Sequence, residues 1–419
     1  MYIERLELAD FRSYADAALL LEPGVHVLVG PNAQGKTNLL EALHYLAVGG
    51  SHRVSSDAPL VRAGAAAAVI RAVVRLDGGH RRRVVEYELR PGGRNRARVD
   101  GQPQPRTRDA IGQVRSVMFA PEDLTLVRGD PGDRRRFLDE LLGQRRPAYD
   151  AARQDYERVL RQRNSLLKQL RSAARRPGGR AESAGLAEVL SVWTDSLVNT
   201  GAALLAARIA VVHALSGPAD MAYRDLVAAS PAREASGGVT LDYELSTGRV
   251  VRGAPGSGVP DPAELATELR DGLAARAEEE ADRGMTLAGP HRDELAMSLN
   301  GLPAKGYASH GETWSLALAL RLASREVLHE VGEEPVVLLD DVFAELDAAR
   351  RARLAARCAS FEQVLVTTAL DADVPLPGPR HMVHAGSIRP TSAPGGPGGT
   401  DAPEAAGAGS PSAGPRAVA

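Results

Sequence analysis

The chain is poor in cysteine, aromatic residues and lysine, and each shortage excludes something. Cys358 is the only cysteine in 419 residues, so neither an intramolecular disulfide nor a cysteine-rich metal site can form. Aromatic residues make up 4%, and no cluster of them offers a platform for stacking the bases of a single strand. The net charge of −2 arises from 51 basic and 53 acidic residues. Global charge therefore points to neither nucleic acid nor membrane as a partner. No apolar run approaches the length that spans a bilayer, since Leu204–Leu215 is short and carries Arg208. The start, Met1-Tyr2-Ile3-Glu4-Arg5, alternates apolar and charged residues as a strand does, not as a signal peptide does. A cytoplasmic protein without membrane contact is expected, and its length favours two domains over one.

Lysine is scarcer still relative to arginine, with only Lys36, Lys168 and Lys305 present. One of these three falls in Gly30-Pro31-Asn32-Ala33-Gln34-Gly35-Lys36-Thr37, which fills the phosphate-loop pattern G-x-x-x-x-G-K-S/T without a mismatch. The apolar run Val25–Val29 before it reads as a buried strand, and Asn38–Leu43 after it has helical spacing. Strand, glycine loop and helix together are the context the motif needs. Gly30 and Gly35 let successive N–H groups turn toward phosphate oxygens, and the helix start adds its positive end. Lys36 is expected to reach the β- and γ-phosphates of ATP, and the Thr37 hydroxyl to ligate Mg²⁺.

The rest of the chain reads as an α/β ATPase head with an inserted helical lobe. Residues 1–128 form the N-terminal half of the head, with candidate strands at Tyr2–Leu8, Ala17–Leu21, Val25–Val29, Val69–Leu76, Val84–Leu89, Asn95–Val99 and Arg115–Phe119. Residues 129–284 are mainly helical, with long periodic stretches at Arg153–Leu170, Leu186–Leu215 and Pro262–Asp282. Loops are expected at Arg175–Ala184 and Ser230–Gly238, and a strand at Val239–Leu245. Residues 285–385 complete the head. Gly386–Ala419 is a Pro-, Gly-, Ser- and Ala-rich tail with too little apolar surface to offset its ordering entropy, so it is expected to be disordered.

Two later segments supply the remaining chemistry. Pro335–Asp341 is an apolar strand that ends in two carboxylates. Asp340 is placed to serve the Mg²⁺ shell or Thr37, and Asp341 to face the attacking water as a general base or a positioning group. Ser309-His310-Gly311-Glu312 precedes the helical run Thr313–Glu330. A plain N-cap is one reading. The other is an anion site at a helix start, built from Ser309 and the free N–H groups near Gly311. Such a site would find its phosphate only on a second chain packed head to tail.

These pieces, in this order, resemble the ABC-type ATPases of the SMC class, and most closely the RecF family of bacterial recombination mediators. The resemblance runs from Met1 to about Ala385. It rests on Phe11-Arg12-Ser13-Tyr14, the phosphate loop, Gly50–Arg53, Phe119–Leu124, Gly129–Asp139, Gly289–Asp293 and Leu339–Asp347. It implies a weak DNA-linked ATPase of DNA replication, recombinational repair and the SOS response. An ATP-driven homodimer would act as a clamp at gaps or junctions and cooperate with RecO and RecR in placing RecA. It further suggests Arg12 near adenine, Ser51–Arg53 near the nucleotide, and Glu122 where relatives place a metal-sensing glutamine.

The signature departs from the commonest form, reading Ser-His-Gly-Glu-Thr-Trp. His291-Arg292-Asp293 reads more readily as a salt-bridged turn than as a catalytic group. Arginine clusters at 81–83, at 94, 96 and 98, at 106 and 108, at 134–136, and at 158, 161 and 163 could grip phosphodiesters. Those at 134–136 sit at a helix start, where cations are disfavoured, which hints at an external anion. Without aromatic platforms, backbone binding to duplex or junction DNA fits better than base stacking. A transporter ATPase subunit and a stand-alone P-loop phosphotransferase remain as alternatives.

Overall fold

Five parallel strands with one antiparallel edge strand stand at the centre of the protein, in a computed structural model that describes residues 1–176, 180–227, 238–254 and 257–391. Their order is Ser387–Thr391, Arg380–His384, Gly24–Val29, Gln363–Thr368, Val336–Leu339 and Ser116–Phe119. The inner strands are short apolar runs because both faces of the sheet are covered. Val27, Val29, Val337, Val364 and Val366 join a core shared with the helical lobe. Leu28, Leu338 and Leu365 point the other way, into a core shared with the helix Lys36–Val48.

Beyond that helix lies a six-stranded antiparallel sheet in the order Tyr14–Leu20, Tyr2–Phe11, Ala68–Leu76, Arg81–Leu89, Arg96–Val99 and Gln102–Pro103. Its inner face carries Ile3, Leu6, Leu8, Ile70, Ala72 and Val85. Its outer face carries Arg–Glu pairs such as Glu4–Arg75 at 2.8 Å and Glu86–Arg98 at 3.1 Å. Buried Gln363 ties the two sheets together: its side chain accepts from Ile3 N at 2.8 Å and donates to Ile3 O at 2.9 Å and Glu22 O at 3.1 Å.

The lobe is built on the helices Pro131–Arg145, Pro147–Ala174 and Arg180–Val227. A third sheet, Val250–Arg252, Val239–Glu244, Glu294–Leu299 and Leu302–Pro303, closes it. This sheet pairs residues on both sides of the 284/285 boundary, with Leu295 opposite Tyr243.

Three local expectations change. The long helix does not stop at Leu215 but runs on through Pro218 to Val227, because Ala219, Ala222, Tyr223 and Leu226 are buried in the lobe core. It also begins at Arg180, so the loop expected at Arg175–Ala184 is shorter; residues 177–179 lie outside the described residues, as does nearly all of the Ser230–Gly238 loop. The tail begins later than residue 386: Ser387–Thr391 pairs antiparallel with Arg380–His384, and residues 392–419 lie outside the described residues.

One further point departs from the sequence reading. Ala184–Val227 is long and apolar enough, by length and composition, to cross a membrane. In this fold 56% of its most apolar window is buried, and its Arg208 holds Asp139 through two 2.9 Å hydrogen bonds inside the lobe.

Candidate nucleotide site

Parallel strands deliver their carboxyl ends to one edge, where α/β folds place ligands. Gly24–Val29 leads into the phosphate loop, Val336–Leu339 into Asp340, and Gln363–Thr368 ends there in two hydroxyls. The loop is tightly fitted. Gly35 has φ +109°, and a Cβ on it would lie 2.8 Å from the Tyr14 hydroxyl. A Cβ on Gly30 would lie 2.2 Å from Val383 O. Lys36 is buried, and its Nζ donates to Gly30 O at 2.7 Å and Pro31 O at 3.1 Å. The helix it opens has no side-chain cap and no acidic residue in its first turn. Its free N–H groups and positive end are thus left for an anion.

Thr37, Asp340 and Thr367 meet at the base of this cradle. Asp340 Oδ1 accepts from Thr37 Oγ1 at 3.1 Å and from Thr367 Oγ1 at 2.6 Å, while Asp341 N donates to Thr367 Oγ1 at 2.9 Å. Burial pushes the Asp340 carboxyl above its ordinary range; the two threonine hydroxyls oppose the shift, and the charges of Asp341 and Glu122 add to it. A divalent cation beside Asp340 would reverse that logic. The oxygen set of Thr37 and Asp340, next to a phosphate cradle, suits Mg²⁺. Among the described residues no group of three or more His, Cys, Asp or Glu forms a metal cage. Asp341 adopts the left-handed conformation, φ 50°, which turns it away from the strand. Glu122 is exposed.

Arg12 is engaged rather than free. It donates to both oxygens of Glu41, at 2.8 and 2.7 Å, and to Pro59 O at 3.1 Å. Burial alone would raise the Glu41 carboxyl, but hydrogen bonds from Arg12 and Ser51 and the charges of Arg12 and Arg53 leave it below the ordinary range. Ser51 and Arg53 thus anchor to the phosphate-loop helix, Ser51 through Glu41 at 2.5 Å and Arg53 through Asn38 at 3.1 Å.

Two contributions were not foreseen. Thr367 couples Asp340 to the Asp341 backbone, and Tyr14 steadies the loop by donating to Gly35 O at 3.1 Å. The run Phe361–Thr368 reads in sequence as a strand ending in hydroxyls near the γ-phosphate position, but not as a coupling between the two carboxylates. Tyr14 belongs to the Phe11–Tyr14 motif, and nothing in the sequence alone gives it a role.

Ser309 caps the helix His310–His329 in a reciprocal box with Glu312, Ser309 N donating to Glu312 Oε2 at 2.9 Å and Glu312 N to Ser309 Oγ at 3.4 Å. A Cβ on Gly311 would lie 2.9 Å from Arg350 Nη1, so the guanidinium rests over the helix start. Among the described residues no hydrogen bond or ion pair joins Ser309–Gly311 to the phosphate loop of the same chain.

His291 and Asp293 belong to the lobe interior. Asp293 accepts from Ser246 N at 2.7 Å and Tyr243 OH at 3.1 Å, and His291 Nδ1 pairs with Tyr156 OH at 2.7 Å. Most of the arginine clusters are neutralised internally. Arg134, expected to await an external anion, is buried and holds Glu294 at 2.5 Å, and Arg135 donates to Asp293 O at 2.7 Å. The tertiary fold supplies acceptors that outweigh the unfavourable dipole.

The family model for the RecF/RecN/SMC N terminal domain matches residues 2–374. The DNA replication and repair protein RecF of Streptomyces avermitilis is 54% identical over 390 residues, covering 93% of this chain and 99% of that one. Its counterpart in Frankia alni is 51% identical with the same coverage. Among solved structures, the recombination mediator RecF bound to ATP, of the RecFOR pathway, superposes with a TM-score of 0.81 at 26% identity, over 93% of this chain and 98% of that one. These likenesses leave no place for a transporter subunit or a phosphotransferase. With a complete phosphate loop facing Asp340 across a parallel sheet, the chain belongs to the RecF family of DNA replication and repair proteins, SMC-type heads with an ATPase fold.

Proposed function

We propose that this chain is an ATP-driven, DNA-binding switch that works as a head-to-tail dimer. The head would comprise residues 1–128 and 285–385, with 129–284 as the insert. Lys36 and the loop amides would bind the β- and γ-phosphates of ATP, and Thr37 and Asp340 would hold Mg²⁺, with Glu122 near its shell. Mg²⁺ would supply charge neutralisation at the phosphates. Asp341 would orient the attacking water, and Ser309 with the helix start at Gly311 would cover the partner's γ-phosphate. Arg12, through Glu41, would brace the edge of the nucleotide site beside the adenine. Closure would place the two heads on DNA, and hydrolysis would release them.

The observation that carries this reading is the division of the site. The cradle and the helix start at His310–Gly311 each leave backbone N–H groups for phosphate, while Ser309 itself donates to Glu312, and among the described residues no hydrogen bond or ion pair joins the two within one chain. The bound RecF structure and the family names support ATP and DNA repair as the setting. Loading at gaps or junctions, cooperation with RecO and RecR, placement of RecA, a part in the SOS response and a cytoplasmic location complete the proposal.

The test mixes two variants. Lys36→Met should lose ATP binding, because the only side-chain cation of the loop is removed. Gly311→Arg should keep ATP binding but lose ATP-driven dimerisation, because the new side chain displaces Arg350 and fills the approach to the helix start. Mixed together, they form one composite site with an intact loop facing an intact helix start. Hydrolysis should return partially in the mixture while absent from each alone. Normal hydrolysis by monomeric Gly311→Arg protein would overturn the dimer reading.

A further inference from the structure

We propose that four arginines at the junction of the antiparallel sheet and the base of the helical hairpin, Arg94, Arg106, Arg145 and Arg146, grip the phosphate backbone of duplex DNA. The proposal rests on the DNA-binding reading above and adds the face that is used.

Arginine count says little in this chain; pairing narrows the candidates without isolating them, since exposed Arg82, Arg136 and Arg161 also form no ion pair among the described residues, and position at one junction selects four. On the sheet, Arg81 pairs with Asp77, Arg83 with Asp100, Arg96 with Glu88 and Arg98 with Glu86. In the lobe, Arg153, Arg158 and Arg163 are likewise held by carboxylates. Arg94, Arg106, Arg145 and Arg146 form no ion pair among the described residues. Arg94, Arg106 and Arg146 are exposed, and Arg145 is half-buried.

The fold brings the three segments that carry these four to one junction. Arg94 donates to Pro105 O at 3.1 Å, which sets it beside Arg106. The loop continues to Gly112, where a Cβ would stand 3.0 Å from Pro147 Cγ and 3.4 Å from Gln144 O. Arg145 and Arg146 occupy the turn between those two contacts. Arg108 fastens the same loop to the helix Pro147–Ala174 by donating to Gln154. That helix begins at the turn without a side-chain cap, so its positive end adds to the guanidinium charge.

Two carboxylates lie close. Asp109 accepts from Arg106 N at 3.1 Å and lies 3.9 Å from Arg108. Asp150 is already held by Arg153 and Gln154, each at 2.8 Å. The patch is therefore a net cation.

Its chemistry selects the partner. Guanidinium forks suit phosphate oxygens, and no aromatic side chain is exposed there for stacking, since Tyr149 is buried. None of the exposed large apolar residues falls in 94–113 or 145–150, so an acidic protein would find no apolar anchor of the kind that dominates protein interfaces. A backbone-reading contact with a duplex remains.

The test compares two charge-matched double variants. Arg106→Gln with Arg146→Gln removes two unpaired cations; Arg81→Gln with Arg98→Gln removes two that are paired on the same sheet. Each is titrated against a fluorescent duplex, with ATP, across a range of KCl. The first variant should lose affinity by about 10-fold or more at low salt, and its salt slope should fall by about 2, near 0.9 per lost phosphate contact. Its ATP affinity and melting temperature should hold. The charge-keeping Arg106→Lys with Arg146→Lys should restore most of the binding. The paired variant should bind nearly as the parent does.

If the first variant keeps the parent's slope, or if both Gln variants lose affinity equally, the patch is wrong while the DNA-binding reading stands. If the parent itself does not bind duplex DNA with ATP, that reading falls and takes the patch with it.

Discussion

At the residue scale, the site depends on a few short-range couplings around Asp340. Thr367 donates to Asp340 and accepts from the Asp341 backbone, so the carboxylates proposed to serve the metal and the attacking water are tied together by one hydroxyl. Asp341 also sits at φ 50°, a conformation that Asp and Asn tolerate far better than branched residues. Asp341→Asn is therefore a clean probe, since it keeps the backbone and removes the carboxylate proposed to act on the attacking water. ATP affinity and ATP-driven dimerisation should persist, and hydrolysis should fall by about 100-fold or more, within the range typical of lost general-base catalysis. Phosphate release at saturating ATP measures this, and an unchanged rate would remove Asp341 from the chemistry.

At the scale of elements, the long helix Arg180–Val227 organises the lobe, and Arg208, its one buried charge among the described residues, ties it to its neighbours. Arg208 lies 4% exposed and donates twice to Asp139, once to Pro290 O at 2.6 Å and once to Tyr243 OH at 3.4 Å. Arg208→Met would leave Asp139 without its cation and a buried carbonyl without its donor. Breaking one side of a buried pair costs about 3–5 kcal/mol, so denaturant unfolding should show a loss of that order. Adding Asp139→Leu should recover part of it, because the orphaned charge is then gone. A single variant as stable as the parent would show that the pair does not hold the helix.

For the whole molecule, buried histidines set the response to acid. Burial, with the neighbouring arginine charges adding to it and a hydrogen bond to Thr286 opposing it, holds His291 down to about 4; burial and the neighbouring His26 do the same for His381. His26, His44 and His52 are lowered too, chiefly by burial. A histidine depressed in the fold contributes stability that is present above its unfolded pKa of about 6.5 and is lost as pH falls toward its folded value. Asp293 acts oppositely: burial lifts it to about 6, and burial lifts Asp340 and Glu140 in the same direction, so their contribution is present at low pH and lost as pH rises. The five histidines outnumber them. Melting temperature should fall between pH 7 and pH 5, well before most carboxylates titrate. A flat profile over that window would mean that the histidines are not buried neutral in solution.

What the sequence determined by itself was local. The phosphate loop, the apolar run ending in Asp340 and Asp341, and the cap at Ser309 each occupy a few contiguous residues whose spacing dictates their geometry. So do the alternating strands of the first sheet. Only the tertiary structure decided the rest. Nothing near Pro218 announces that the helix continues; buried Ala219, Ala222, Tyr223 and Leu226 outweigh a proline's local cost through packing with distant segments. Nothing in a run of arginines tells Arg134, buried against Glu294, from Arg146, exposed and without a carboxylate partner among the described residues, because the partner of Arg134 lies 160 positions away. Charge and apolar pattern are carried by the sequence, but pairing requires the chain to be folded, and pairing is what separates a structural arginine from one left free to meet an anion.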